Sequence, residues 1–246
     1  MNNKLNPNYT FENFIVENNN KFAYDRALEV ANKMEEIKDI IQQFRNGSLS
    51  VIASRPSMGK STLLLSIAKH YVVNKYYTSV ALFSLEMSKE YIIERVKDLS
   101  NEKVYIDDTP AISIEEIKEK CTKLKNDKDI GVVLIDYIQL VSTEKRNKSR
   151  EQELAHISLE LKNLAQELNV PIIITSQLSN EAELRQDKRP ILNDLRYNGS
   201  LTQDADVIIF LYRDDYYNKN IDNNEVEVIV AKNRYGNTKT IKLNNI

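Results

Sequence analysis

Six short apolar segments, separated by stretches in which apolar residues recur at helical spacing, most constrain how this chain can fold. They are Leu49–Ala53, Val80–Leu85, Val132–Ile135, Pro171–Thr175, Val207–Tyr212 and Val226–Ala231. The first five are almost continuously apolar, which is typical of strands buried on both faces of a parallel sheet. Val226–Ala231, and Lys239–Leu243 after it, indicate antiparallel strands added at an edge. We therefore predict a doubly wound, mostly parallel α/β sheet that binds ligands beyond the carboxyl ends of its strands.

The helices between these segments have recognisable starts. Ser113 with Glu116, and Ser149 with Gln152, have the spacing of capping boxes. By contrast, the stretch from Ser179 to Ser200 has little periodicity and is predicted to be a long functional loop.

The amino-terminal part of the chain predicts one further helix. Apolar residues recur at helical spacing over residues 23–44, and Asn46-Gly47 then ends the pattern. We therefore divide the chain into a leader with a linker helix, residues 1–45, and an α/β domain, residues 46–246.

Charge and rare residue types exclude several classes of protein. The net charge is −2, so any contact with nucleic acid must come from a local basic cluster. The single cysteine, Cys121, belongs to an apolar helical stripe and is predicted to lie in the core, without a disulfide. Two histidines and no Cys/His cluster argue against a structural zinc site. No segment approaches the roughly 18 apolar residues of a membrane span, so we expect a cytoplasmic protein.

A predicted strand, a loop and a helix start follow one another over residues 51–62, Val-Ile-Ala-Ser-Arg-Pro-Ser-Met-Gly-Lys-Ser-Thr. This order is that of a P-loop, in which backbone N–H groups form an anion nest at the positive end of a helix. Lys60 would reach the β- and γ-phosphates of ATP, and Ser61 would ligate Mg²⁺. Ser54 stands where the general pattern has its first glycine, and the alternative is a chance Gly-Lys-Ser after a strand. The residues predicted to bind ATP are Ser57, Met58, Gly59, Lys60, Ser61 and Thr62.

Three other predicted strands end in polar side chains. The strand before Asp136 has the Walker B arrangement, in which a carboxylate holds hydrated Mg²⁺ beside the P-loop. Glu86 follows the second strand and can act as a general base, although an acid there also favours the start of a helix. Gln177 ends the fourth strand, where an amide can donate to a γ-phosphate; a solvated loop residue is the alternative.

Together these motifs resemble the motor domain of DnaB-type bacterial replicative DNA helicases. The likeness covers residues 46–246 and is clearest in three segments, Ala53–Lys60, Phe83–Met87 and Asp136–Leu140. It implies a RecA-like fold, Mg²⁺-dependent ATP hydrolysis, and a homo-oligomeric ring, a hexamer, acting on single-stranded DNA. In this family Glu86 would polarise the attacking water, and Gln177 would sense the γ-phosphate.

Two further segments gain a role from the resemblance. Residues 188–206 are similar to the family's DNA-binding loop and the strand after it, with a solvated loop as the alternative. The candidate DNA contacts are Lys188, Arg189, Arg196 and Gly199. Lys232 and Arg234 are similar to a Lys-x-Arg pair that reaches the ATP site of the neighbouring subunit. An arginine supplied in trans stabilises charge on the transferring phosphoryl group.

The chain departs from the family in several places. Tyr197 and Asn198 stand where the family usually has an acid and a small residue. The stretch between Glu86 and Tyr105 is shorter than usual, and the helicases' amino-terminal helical domain has no counterpart in this sequence. Instead, parts of residues 9–31 resemble the segment that opens the ATPase domain of the replication initiator DnaA.

Two alternatives to a helicase motor remain open at this stage. One is an interaction protein that keeps the ATPase core and binds a full-length helicase, loader or initiator to regulate it. The other is a RecA-like recombinase or clock-type ATPase, whose motifs fit the sequence less well.

Overall fold

The computed structural model describes residues 37–72, 78–96, 103–144, 149–218 and 225–244, without side-chain detail at 196–199 and 244. Its strands are β1 Leu49–Ser54, β2 Ser79–Ser84, β3 Val104–Asp107, β4 Ile130–Asp136, β5 Ile172–Gln177, β6 Val207–Tyr212, β7 Glu225–Asn233 and β8 Lys239–Asn244. Its α-helices are α1 Lys60–His70, α2 Lys89–Arg95, α3 Ile114–Lys128, α4 Arg150–Leu168, α5 Gly199–Asp204 and α6 Asp214–Tyr217.

The described strands form one eight-stranded sheet in the order β3-β2-β4-β5-β1-β6-β7-β8. The first six strands of that order are parallel, and β7 and β8 are antiparallel additions at one edge. The predicted architecture is therefore confirmed: a mostly parallel sheet with antiparallel strands near the carboxyl end of the chain.

Helices cover both faces of this sheet, which explains why its strands are apolar along their length. On one face α3, α4 and α5 pack against the sheet, and Cys121 of α3 is fully buried there as predicted. The other face is covered by α1, α2 and the segment 37–44. Among the described residues, no helix is both long and apolar enough to cross a bilayer.

The helix starts follow the sequence signals closely. Ser113 and Ser149 each accept a hydrogen bond from the backbone N–H three residues later, and the side chains of Glu116 and Gln152 return a bond. Both predicted capping boxes are thus confirmed, and they set where α3 and α4 leave the sheet.

The segment 37–44 only partly matches the helix predicted over 23–44. Residues 37–41 are helical and a turn follows, while residues 23–36 lie outside the described part of the chain. Ile40 and Ile41 are buried in the same core as α1, and Gln43 accepts a hydrogen bond from Asn233 at 2.8 Å. This segment packs on the domain, and the division of the chain at residue 45 stays a prediction.

Two expectations about local structure were incomplete. The strand β3 was not predicted, because its four half-buried residues form no recognisable apolar run. The stretch 179–200 is also more regular than a loop. It contains 3₁₀-helices at Asn180–Leu184 and Leu192–Asn198 and then enters α5. Short 3₁₀ turns lack the 3.6-residue periodicity on which helix prediction depends.

Candidate ATP site

The P-loop joins the carboxyl end of β1 to the start of α1. Its backbone turns through left-handed conformations at Ser57, with φ 63°, and at Gly59, with φ 94°. A Cβ on Gly59 would meet no atom within 4 Å, so this turn requires glycine for its φ and not for space. The Met58 side chain is buried in the core, so only the backbone of Met58 can face a ligand.

The helix beyond the P-loop presents its first turn to the site. In the part of the chain that the structure describes, no side chain caps α1, so its leading N–H groups are available to an anion. Ser61 and Thr62 lie half-buried in this turn, and the Thr62 hydroxyl accepts a hydrogen bond from Arg95 of α2 at 3.0 Å. A P-loop before an uncapped helix start is the geometry expected of a phosphate cradle.

Lys60 is held over the end of β1, and no anionic side chain among the described residues is in direct contact with it. Its ammonium makes long contacts, 3.3 Å to the Ser54 hydroxyl and 3.4 Å to the Ser54 carbonyl oxygen. Burial lowers the pKa of Lys60 below its ordinary value, and the charges of Asp136 and Glu86 partly oppose this shift. The site thus contains a desolvated cation that a bound phosphate would stabilise.

Asp136 is the last residue of β4, and it is almost completely buried. In the sheet, β5 lies between β4 and β1, the strand that leads into the P-loop. Its Oδ1 accepts a hydrogen bond from the Thr175 hydroxyl at 2.5 Å, whereas Oδ2 has no partner among the described residues. A buried carboxylate oxygen without a donor is costly unless a cation occupies the site. The unpartnered Asp136 oxygen therefore fits Mg²⁺, which prefers such oxygen ligands.

Glu86 lies beside Asp136 at the same edge of the sheet. Ser84 of β2 pairs with Asp136 in register, and the Leu85 N–H donates to the Asp136 carbonyl oxygen at 2.8 Å. Two residues after β2, Glu86 is exposed and its charge acts on Lys60. Ser88, and not Glu86, caps the following helix. A carboxylate in this position is accessible to water at the site.

Gln177 completes the row of strand ends, opposite Ser54 in the β1–β5 pairing. Its backbone is fixed by Gln139, whose amide donates to the Gln177 carbonyl at 3.2 Å and to the Ser176 hydroxyl at 3.0 Å. Gln139 follows β4, so this contact ties the end of β4 to the end of β5. The exposed Gln177 side chain thus starts from a rigid position.

Lys232 and Arg234 lie at the opposite ends of the strands from the P-loop, where the parallel strands begin. Because β7 is antiparallel, Asn233 pairs with Val207 at the amino end of β6. The Lys232 ammonium donates to the carbonyl oxygens of Thr202 and Ala205 at 2.8 and 2.6 Å. Burial lowers the pKa of Lys232, and the nearby Arg234 charge lowers it further. The structure therefore keeps this pair together and away from the P-loop of its own chain.

The loop predicted to bind DNA connects β5 to β6. Arg189 lies in it as a half-exposed residue, and its guanidinium donates twice to Glu227 of β7, at 2.7 and 2.8 Å. The same guanidinium lies over the Tyr212 ring, 4.7 Å from its centroid, and the Lys188 ammonium lies over the Tyr217 ring at 4.8 Å. These contacts anchor the loop, whatever else the two cations do.

The other two residues of the predicted DNA contact, Arg196 and Gly199, have no described side-chain surroundings. Their backbone lies at the junction of the second 3₁₀-helix and α5. Before them, Arg185 donates to both carboxylate oxygens of the buried Asp194, at 2.6 and 2.8 Å. This pair gives the loop a fixed base.

Comparison with known proteins decides the family. The model of the DnaB-like helicase C-terminal domain matches residues 29–98 and 92–245. The chain belongs to this family. Its fold is accordingly that of a RecA-like P-loop ATPase.

Relatives within the DnaB-like family are similar over most of this chain. The replicative DNA helicase DnaC of Bacillus subtilis is 42% identical over 239 residues, covering 85% of this chain and 52% of the relative. One solved ATPase domain has a TM-score of 0.76 at 38% identity, and the match covers 81% of each chain. A DnaB-like replicative helicase, solved in a study of its interactions with primase, has a TM-score of 0.78 at 39% identity, with 82% of this chain and 56% of that one covered.

The chain thus spans about half the length of the curated DnaB-like relatives that it matches. Three residues important to the site were not singled out from the sequence: Thr175, Gln139 and Asp206, the last described below. Thr175 lies within an apolar strand, Asp206 lies immediately before one, and Gln139 lies in the 3₁₀-helix that follows β4. The sequence shows that these polar residues are present, but it does not show which residues they contact.

Proposed function

We propose that this chain is the ATP-hydrolysing motor of a replicative DNA helicase, which uses hydrolysis to move along single-stranded DNA as part of a ring. The observation that carries the proposal is the meeting of Lys60, Asp136, Glu86 and Gln177 at one sheet edge, while Arg234 lies at the other. The first group is a complete set for phosphoryl transfer to water. The second is too far from this site to act on the same chain's nucleotide, and we propose that it serves another subunit.

Within the site, each residue has a task that its position supports. Lys60 would neutralise the β- and γ-phosphates of ATP, which would relieve its desolvation. The Ser61 hydroxyl and the unpartnered Asp136 oxygen would hold Mg²⁺, which neutralises charge on the phosphates when bound. The nest at Ser57–Gly59 would orient the phosphate chain through backbone N–H groups.

Glu86 and Gln177 would act on the reacting end of the nucleotide. The exposed carboxylate of Glu86 can accept a proton from a water molecule placed for attack on the γ-phosphate. The Gln177 amide can donate to the γ-phosphate. Gln139 holds the Gln177 backbone, and the loop toward β6 starts directly after it. Loss of the γ-phosphate contact would therefore act on the start of that loop.

Lys232 and Arg234 would complete the ATP site of a neighbouring subunit. The six-residue strand β1 separates the two edges by about 20 Å, more than a side chain can span. A surface that gives fingers at one edge and receives them at the other makes a head-to-tail interface, which closes into a ring if its rotation closes and otherwise runs on as a filament. We propose a hexamer, and a cytoplasmic location that follows from a role in replication.

The trans arrangement can be tested by mixing two inactive variants. Lys60→Ala lacks phosphate binding and Arg234→Ala lacks the finger, so each alone should lose hydrolysis, by about 10³-fold or more for the finger. Mixed rings contain interfaces that pair an intact P-loop with an intact finger, so activity should return. Co-purification of differently tagged chains verifies that mixed rings have formed. If such rings stay inactive, the trans role is excluded.

Single-stranded DNA would bind the loop between β5 and β6. We retain Lys188, Arg189, Arg196 and Gly199 as the proposed contact region. Of these, Arg189 has its guanidinium engaged by Glu227, so we propose that Arg189 anchors the loop and that Arg196 is the principal cation in contact with phosphate. Each phosphate contacted would contribute about −0.7 to the log–log slope of affinity against salt.

The deciding measurement is ATP hydrolysis with and without single-stranded DNA at high protein concentration. We expect DNA to stimulate hydrolysis, and Arg196→Ala to reduce both the stimulation and the salt slope. Lys128→Ala is the matched control, because it removes an equal charge from an exposed position at the end of α3. If DNA does not stimulate hydrolysis and the chain binds a full-length helicase tightly, the proposed function changes from a motor to a helicase regulator.

A further inference from the structure

The buried carboxylate of Asp206 connects three elements at the edge of the sheet that carries Arg234. It follows α5, immediately before β6, and is 2% exposed. One oxygen, Oδ2, accepts the Leu49 backbone N–H at 2.9 Å and the Lys162 ammonium at 2.6 Å. The other, Oδ1, accepts the Arg234 guanidinium at 3.2 Å.

The two oxygens therefore divide their work. Oδ2 fixes the carboxylate to β1 and α4, which belong to the core of the domain. Oδ1 is directed at Arg234, whose side chain is half-exposed. A second backbone contact, from the Arg234 N–H to the Asp206 carbonyl oxygen at 2.9 Å, holds the same residue from behind.

The Arg234 guanidinium is held in one orientation by these contacts. Its second terminal nitrogen donates to the Gln203 carbonyl oxygen at 2.7 Å, so the planar group is gripped on two sides. A guanidinium carries five N–H donors, and the two used here leave others for a phosphate. The long arginine side chain has much rotamer entropy to lose, and such a grip removes that loss before the subunits meet.

We propose that Asp206 is a positioning residue that aims Arg234 at the ATP site of the neighbouring subunit. This inference rests on the trans role given to Arg234 above. Asp206 touches neither nucleotide nor DNA; it acts through the guanidinium it holds. Lys232 is held alongside by the carbonyl oxygens of Thr202 in α5 and of Ala205 just after it, so the short segment from α5 to Asp206 orients both cations.

The test separates this role from a contribution to folding. Asp206→Asn keeps an acceptor for Leu49 but leaves the largely buried Lys162 cation without its anionic partner, which can destabilise the domain. We therefore compare Lys162→Met, which keeps the carboxylate, with the double variant Lys162→Met/Asp206→Asn, which loses only that charge in addition. Misplacing a reacting group by about 1 Å can cost about 10²-fold in rate, and we expect that loss between the two variants.

Mixing then locates the defect. The double variant keeps its own P-loop, so Lys60→Ala subunits, which supply a well-placed finger, should restore its hydrolysis. Arg234→Ala subunits should not, because both chains then supply a defective finger. A purely structural role predicts damage to the double variant's own ATP site, which neither partner can repair.

Three results would overturn the inference. The double variant could hydrolyse ATP within about threefold of Lys162→Met, a difference too small for a misplaced finger. Its activity could remain lost with Lys60→Ala subunits, or return with Arg234→Ala subunits. The mixture of Lys60→Ala with Arg234→Ala is run in parallel. If that reference mixture fails, the trans role itself is wrong, whereas failure of the double variant alone refutes only the role of Asp206.

Discussion

The hydrogen bond between Thr175 and Asp136 makes a sharp prediction about metal affinity. Thr175 is fully buried in β5, and its hydroxyl donates to the carboxylate oxygen that is not directed at the proposed metal. Thr175→Val removes this donor and retains the β-branched shape. A hydrogen bond to a charged group contributes about 1.5–3 kcal/mol, and outer-shell partners of metal ligands typically change metal affinity about 10–100-fold.

We therefore expect Thr175→Val to raise the Mg²⁺ concentration for half-maximal ATP hydrolysis by about 10–100-fold. The free energy of unfolding without metal should fall by about 1–3 kcal/mol, because a buried carboxylate oxygen loses its donor. Mg²⁺ titrations of hydrolysis and urea unfolding measure the two effects. Thr175→Ser, which keeps the hydroxyl, is the matched control for metal binding and should keep a Mg²⁺ dependence close to that of the wild type.

An unchanged Mg²⁺ dependence in Thr175→Val would refute this reasoning. It would mean that Asp136 keeps its orientation without Thr175, or that Asp136 does not hold the metal. Asp136→Asn distinguishes these cases, since it should abolish Mg²⁺-dependent hydrolysis only if Asp136 is a ligand.

Three further predictions concern groups that the structure places in unusual surroundings. Lys60→Met should leave the melting temperature without nucleotide unchanged or higher at pH 7, because burial lowers the Lys60 pKa and so disfavours the charged form. Any gain in melting temperature should shrink as the pH approaches 10.5. A melting temperature lower by several degrees at pH 7 would contradict this prediction. Arg189→Ala should cost about 1 kcal/mol of stability through its partly exposed pair with Glu227 while leaving the salt slope of DNA binding intact; a slope reduced by about 0.7 would make Arg189 a phosphate contact. Burial raises the pKa of the Cys121 thiol to about 12, so Cys121 should react with thiol reagents at pH 8 only after unfolding. Rapid labelling of the native protein would show that the core opens around Cys121.

Much of the fold could be predicted because the strands have an unambiguous composition. Segments such as Val207–Tyr212 are apolar throughout, and only a strand covered on both faces buries every residue of such a run. The exception, Val104–Asp107, is a four-residue edge strand whose residues are all half-buried. Its place beside β2 depends on pairing, which local sequence does not encode.

The site was predictable to the extent that topology alone assembles it. Once the strands are parallel, residues at their carboxyl ends must meet, and Lys60, Glu86, Asp136 and Gln177 all lie there. The partners that orient such residues are a different matter. Thr175 and Asp136 are 39 residues apart, and Arg189 and Glu227 are 38 apart. Such contacts depend on strand order and register, so each side chain alone gives no sign of its partner.

The reversal of chain direction at β7 has a consequence for self-sufficiency. A parallel β7 would have ended at the edge where the P-loop lies, and Arg234 could then have served its own subunit. With the strand reversed, a solitary subunit under the proposed function owns every part of a working site but can never use them together. If the proposed function holds, unassembled chains would hydrolyse little ATP even without an inhibitor. ATP hydrolysis would then depend on assembly, because the contact that joins two subunits would also complete the ATP site between them.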